Sequence, residues 1–251
     1  MSLLNQQTRI NGGHAEVWDT LTYETHDIMC ALRFADDFLG QSAVAVPAAG
    51  AAVDGDPWVA KIVAAAGAPT VAGVANAAGG QVAATLAVTS EKEDAVLYWG
   101  DNLGIDITKH AIFETRVNLS VLPSAATVQA VWGLASVWID GPNNNTCYAR
   151  FGATANGAVL IETFDGVTTK SVATGVTVIA GAWHYYRIDA TDITNVRFFI
   201  DGAEVSTTGL VNFAATGTLA VLQPYLGVYK PSGAGVGTLI ADYVKIWSNR
   251  S

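Results

Sequence analysis

The run from Trp183 to Val205 constrains the fold more than any other stretch of the chain. Residues 183–189 alternate: Trp183, Tyr185 and Arg187 point one way, and His184, Tyr186 and Ile188 the other. From 196 the period of two returns, with Val196, Phe198 and Ile200 on one face and Arg197 and Phe199 on the opposite one. Asp201-Gly202 follows, and a type I′ hairpin turn needs residues that tolerate positive φ at both central positions. Two strands, a turn and the start of a third are written into one short stretch. Such a unit cannot bury an apolar face alone, so it requires a larger sheet. Trp183, Phe198 and Ile200 are expected to be mostly buried in the core of that structure.

The rest of the chain supplies the sheet. Phe113, Thr115, Val117, Leu119 and Val121 form an apolar face, and Glu114, Arg116, Asn118 and Ser120 a wet one. Val82–Thr89, Ala95–Trp99, Val131–Ile139, Thr146–Phe151, Leu219–Tyr229 and Leu239–Trp247 read as further strands. Ala158–Phe164 and Val167–Val172 are a second hairpin around Asp165-Gly166. Residues 43–80 are rich in Ala, Gly, Val and Pro; strand and loop are expected, with a short helix at 58–66 as the competing reading. Many short strands with regular turn signals, and no longer internal repeat, predict an all-β, two-sheet antiparallel sandwich over 31–251.

Residues 1–30 are predicted to be an N-terminal arm. They are polar, carry Leu3, Leu4, Trp18 and Tyr23 as apolar anchors around a Gly12-Gly13 break, and show no sustained period. No strand ladder is expected there, and the arm packs against its own domain or against another chain.

Composition excludes several function classes. The chain is 51% apolar and 14% charged, so it can bury a sizeable core. Its net charge is −9, with 13 Lys plus Arg and no basic run. Phosphate backbones and anionic membranes both need clustered cations, so neither nucleic acid nor membrane is an expected partner. Lys61, Pro69 and Asn76 interrupt the Ala/Val-rich run at 59–88, which argues against a membrane span. Met1–Gly13 lacks the apolar core of a signal peptide. Cys30 and Cys147 are read as two reduced, buried thiols, with a pairing between them left open.

Trp-x-x-x-Arg-Ile at 183–188 and Phe-Phe-Ile-Asp-Gly-x-x-Val at 198–205 resemble the back-sheet strands of concanavalin A-like jelly rolls. Asp36-Asp37-Phe38 and Ala241–Ile246 resemble the first and last strands of that fold. The resemblance covers roughly 34–248, and the superfamily includes legume lectins, laminin G-like domains and many phage virion proteins. Its enzymes hydrolyse glycans with a motif similar to Glu-x-Asp-x-x-Glu, whose carboxylates alternation places on one cleft face. That motif is missing here. Glu91–Asp94 reads as a solvated turn, and Glu162 and Asp165 fall on opposite faces, with the Asp committed to a turn. His14, His26, His110 and His184 are scattered, there is no Gly-x-Ser-x-Gly elbow, and no His or Cys pair has zinc-ligand spacing. Asp36-Asp37 and Asp54-Gly55-Asp56 offer oxygen ligands but read better as turn formers than as a calcium site. No catalytic residue, metal or cofactor is therefore expected.

Two function classes remain. The resemblance implies a non-enzymatic phage virion protein, most simply a capsid decoration protein, assembled in the host cytoplasm. Its partners would be its own copies, as a trimer, and the major capsid protein or another virion protein. Leu3, Leu4, Trp18 and Tyr23 are the candidate contacts. The alternative is a lectin-like carbohydrate-binding module, with Trp99, Asp101 and Asn102 as an aromatic platform beside hydroxyl-binding side chains.

Overall fold

A computed structural model describes residues 6–11, 14–20, 23, 25–27, 32–39, 57–206 and 212–249. Its first strands are β1 (Gln6–Asn11), β2 (His14–Asp19), β3 (Thr25–Asp27), β4 (Leu32–Asp36), β5 (Val59–Val63), β6 (Thr70–Gly73) and β7 (Val82–Thr85). There follow β8 (Glu93–Tyr98), β9 (Ile105–Asp106), β10 (Ala111–Val121), β11 (Gln129–Ala135), β12 (Tyr148–Ala153) and β13 (Ala158–Phe164). The last are β14 (Thr169–Thr177), β15 (Trp183–Ala190), β16 (Arg197–Ile200), β17 (Ala203–Glu204), β18 (Val221–Lys230) and β19 (Thr238–Ser248). Helical structure among the described residues is limited to short 3-10 turns.

Two antiparallel sheets make the sandwich. One, the β10 sheet, runs β17-β16-β15-β10-β19-β7-β6, with β4 also on β19. The other, the β11 sheet, runs β14-β13-β12-β11-β18-β8-β5, with β9 also on β18. The two-sheet jelly roll is therefore present, and the strand at 59–63 takes the place of the competing helix. Asp201 and Gly202 have φ of 50° and 77°, the two positive values a type I′ turn needs.

The core lies between the sheets. Trp132 stacks on Phe151 at 6.0 Å, and Tyr186 meets Trp132 edge-on at 4.8 Å. Phe198 meets Phe151 edge-on at 5.2 Å. Phe198 and Ile200 are buried as expected. Trp183 is not: it lies half-buried on the outer face of the β10 sheet, where the Arg116 guanidinium sits 4.7 Å from its ring. Alternation explains this, because Tyr186 and Ile188 take the core side and put Trp183, Tyr185 and Arg187 outside.

Other expectations also fail in instructive ways. Residues in the arm do form a ladder: β1, β2 and β3 are an antiparallel meander, from Gln6 paired with Asp19 through Glu16 paired with Asp27. The meander docks on the outer face of the β10 sheet through Glu16, Trp18, Tyr23 and Thr25, polar and aromatic side chains at positions that set no hydrophobic period. Glu114 and Asn118, read as wet, are buried; the meander covers Glu114. Glu93 and Asp94, read as a solvated turn, are fully buried on β8. Trp138 lies beyond the end of β11, in the loop that follows.

Cys147 is buried, and burial pushes its thiol up to about 11. Cys30, Leu3, Leu4, Asp54 and Asp56 lie outside the described residues. Asp36 builds a turn, accepting from the Phe38 N–H at 2.8 Å and from Trp58 Nε1 at 2.6 Å.

Candidate functional site

The outer face of the β11 sheet carries a polar and aromatic group of its own, separate from the core. Alternation along β8, β11, β12, β13 and β18 sends Val96, Tyr98, Val131, Tyr148, Arg150, Glu162 and Tyr225 to that side. Val59, Val96, Tyr98, Val131, Ala135, Tyr148 and Tyr225 form a cluster separate from the main core, with Trp138 and Phe164 packed at its margin.

Register sets the central ion pair. Arg150 on β12 lies directly opposite Glu162 on β13. Its Nε and Nη2 reach Glu162 Oε2 at 2.9 and 2.8 Å. The same guanidinium donates to the Pro142 carbonyl and to Asn143 Oδ1, and lies 3.8 Å from the Tyr148 ring centre. One fully buried cation thus ties the groove carboxylate to the loop between β11 and β12.

Beside Glu162 a groove of about 270 Å³, partly open to solvent, runs between Gln129, Val131, Gly152, Thr154 and Leu160. Val131, Leu160 and Gly152 give it an apolar floor, while Gln129, Thr154 and Glu162 give it a polar rim. A Cβ on Gly152 would meet Glu162 Oε2 at 3.8 Å, which is ordinary contact.

The second carboxylate on this face is Asp94. Its Oδ2 accepts from Trp138 Nε1 at 3.1 Å. Burial pushes its pKa up to about 7, against the Trp138 hydrogen bond and reinforced by the Asp140 charge.

The residues predicted for sugar binding stand differently. Trp99 is 8% exposed and packs in the main core, its ring 4.9 Å from Phe34 and 6.3 Å from Trp58. It presents no free face for stacking. Trp99–Asn102 is a tight turn, with Gly100 at φ 63° and Asp101 at φ 67°. Asn102 Nδ2 donates to the Trp99 carbonyl at 2.9 Å. Asp101 Oδ1 accepts from the Trp138 N–H at 2.7 Å and from Gln223 Nε2 at 3.0 Å. Asp101 and Asn102 therefore build the turn and hold the neighbouring loop. The groove side chains escaped sequence reasoning because their pairing depends on register; Arg150 facing Glu162 was the one available signal.

Trp18 and Tyr23, the predicted arm contacts, lie on the chain's own sandwich. With Tyr185, Phe199 and Gly202 they line a second cleft, of about 370 Å³ and partly open, at the meander seam. Below it, Arg187 donates to Glu16 Oε1 at 2.8 Å and to Thr25 Oγ1 at 3.2 Å. Glu114 accepts from Thr25 N at 3.3 Å, from the Thr25 hydroxyl, and from the Tyr243 hydroxyl at 3.0 Å. Burial works against the Arg187 charge, but Glu16, Asp189 and Glu114 outweigh it and hold the guanidinium above its ordinary value. Burial raises the Glu114 carboxyl, opposed by Arg187. These charged groups clamp the meander, so the seam is a structural joint and the groove beside Glu162 the candidate site.

No family model and no curated protein matches the chain. Solved structures do. A putative β-glucanase from Mycobacterium abscessus is 17% identical, with 87% of this chain and 100% of that one covered, at a TM-score of 0.52. An immunostimulatory antigen and pseudo β-1,3-glucanase of Mycobacterium tuberculosis is 15% identical over 86% and 98%, at 0.53. A protein of unknown function from Shewanella oneidensis is 9% identical over 92% and 93%, at 0.55. Identity this low speaks to fold alone: the chain shares the two-sheet antiparallel jelly-roll sandwich of these structures.

Proposed function

We propose that the protein is a non-catalytic, lectin-like module that takes a glycan in the groove beside Glu162. One observation carries this: both outer-face acids are engaged, Glu162 by Arg150 and Asp94 by Trp138, while the groove itself stays open. Retaining or inverting hydrolysis needs two carboxyl groups flanking one bond, and among the described residues Glu162 alone brings a carboxylate to the groove. Binding needs only an apolar floor for a sugar face and polar rim atoms for its hydroxyls. Fold likeness to glucanase-type sandwiches agrees with a glycan as the ligand class.

Gly152→Leu tests it, since the added side chain enters the groove at a position with room for its Cβ. On a glycan array the wild type is expected to bind without releasing hydrolysis products, and G152L to lose at least about 90% of the signal with circular dichroism unchanged, as for any occluded pocket. A wild type with no array hits, or a variant that binds equally well, would sink this reading. Trp99→Ala reports on folding instead, because that ring is in the core.

A second reading is a virion protein that meets its neighbours through the meander. Ile10 is 81% exposed on β1, the edge strand of the meander among the described residues, an apolar side chain beside a strand edge. If copies associate there, wild-type protein should sediment as an oligomer and Ile10→Asp as a monomer. Sedimentation of both as monomers removes the support for it.

A further inference from the structure

The segment Val137–Gly141 closes part of the β11 sheet's outer face. Trp138 packs against the cluster containing Val96, Tyr98 and Tyr225. The segment is gripped by polar contacts: Trp138 Nε1 to Asp94 at 3.1 Å, the Trp138 N–H to Asp101 at 2.7 Å, and Asp140 to Lys92. Lys61 Nζ lies over the Trp138 ring, 4.4 Å from its centre. Two buried polar atoms, Asp94 Oδ1 and the Tyr225 hydroxyl, have no hydrogen-bond partner among the described residues. Burying an unpaired polar atom is costly, and far more so when it is charged. The closed segment therefore tolerates a neutral Asp94 and disfavours an ionised one.

We propose that Val137–Gly141 is a proton-operated lid, closed when Asp94 carries a proton and opened to water when Asp94 is ionised. Every element around Asp94 bears on this. Lys92, just before β8, favours the charge but is already paired with Asp140. Asp140 on the lid opposes it, while the Trp138 indole and the Gly141 N–H favour it. From β18, Tyr225 and Tyr229 feel the Asp94 charge, and from β12 Arg150 acts on Tyr225. From β5, Lys61 is stacked on Trp138. Burial exceeds all of these and holds Asp94 near 7. With the lid open, Asp94 returns toward the ordinary carboxylate range. The proton thus favours the closed lid: its effect is complete below that ordinary range, fades as pH rises, and is gone once pH passes about 7.

Amide exchange of residues 137–141, corrected for intrinsic rates, tests this without any glycan, so it stands or falls apart from the groove reading. Wild-type protection should fall by about tenfold or more between roughly pH 5.5 and 7.5. Asp94→Asn, a neutral isostere, should stay protected throughout. Trp138→Phe, which loses the indole donor, should be less protected at every pH while peptides of β11 and β18 are unchanged. Wild-type protection that ignores pH overturns the proposal, and so does an Asp94→Asn variant that folds and shows the same fall. Should Asp94→Asn fail to fold, a Trp138→Phe lid as well protected as the wild type overturns it equally.

Discussion

Replacing Arg187 by Ala will undock the N-terminal meander and cost the fold about 3–5 kcal/mol, the range for removing one partner of a buried ion pair. Three carboxylates, Glu16, Glu114 and Asp189, are buried around that guanidinium. Asp189 keeps Arg197, whose Nη2 lies 2.9 Å from its Oδ2. Glu16 and Glu114 lose the cation whose field offsets their burial. Thr25 Oγ1 loses its Arg187 contact, one of the three by which Thr25 ties β3 to the sheet. Limited proteolysis should then cut between the meander and β4 well before the sandwich opens. Arg187→Lys should recover only part of the loss, because an ammonium cannot fork onto Glu16 and Thr25 together. A loss under about 1 kcal/mol would mean that the meander is held by packing alone.

Phe198→Ala should be as costly, about 3–5 kcal/mol, by leaving a cavity between the sheets. Phe198 is fully buried, and its ring meets Phe151 at the centre of the aromatic group that includes Trp132 and Tyr186. Rigid strands on both sides limit collapse of the void, which keeps the cost at the upper end for such truncations. Urea unfolding measures it: the midpoint should drop with the slope unchanged. A small loss would show that the neighbouring rings close the gap.

Phe198 was legible because β16 alternates beside a turn whose residues fix the register. Arg187 was only half legible. Its side of the strand follows from alternation, but its burial comes from a meander more than a hundred and sixty residues earlier, and no local period encodes that. Trp99 failed for a different reason. Every residue of β8 is buried, so its alternation does not say which face meets the core. Tyr98 faces the outer cluster and Trp99 the core. The groove was least legible of all, because Gln129, Gly152 and Glu162 come from three strands brought together by pairing alone.

Strand β19 pairs with β10 on one side and with β7 and β4 on the other. It is also made after every other strand in the sandwich. During synthesis, β10 and β7 must therefore wait with open edges until residues 238–248 have left the ribosome, many seconds at ordinary elongation rates. Contacts this distant in sequence form slowly, and open strand edges invite pairing with other chains. The nascent protein is expected to depend on a chaperone that shields those edges, and co-expressing one should raise soluble yield more than lowering the growth temperature does.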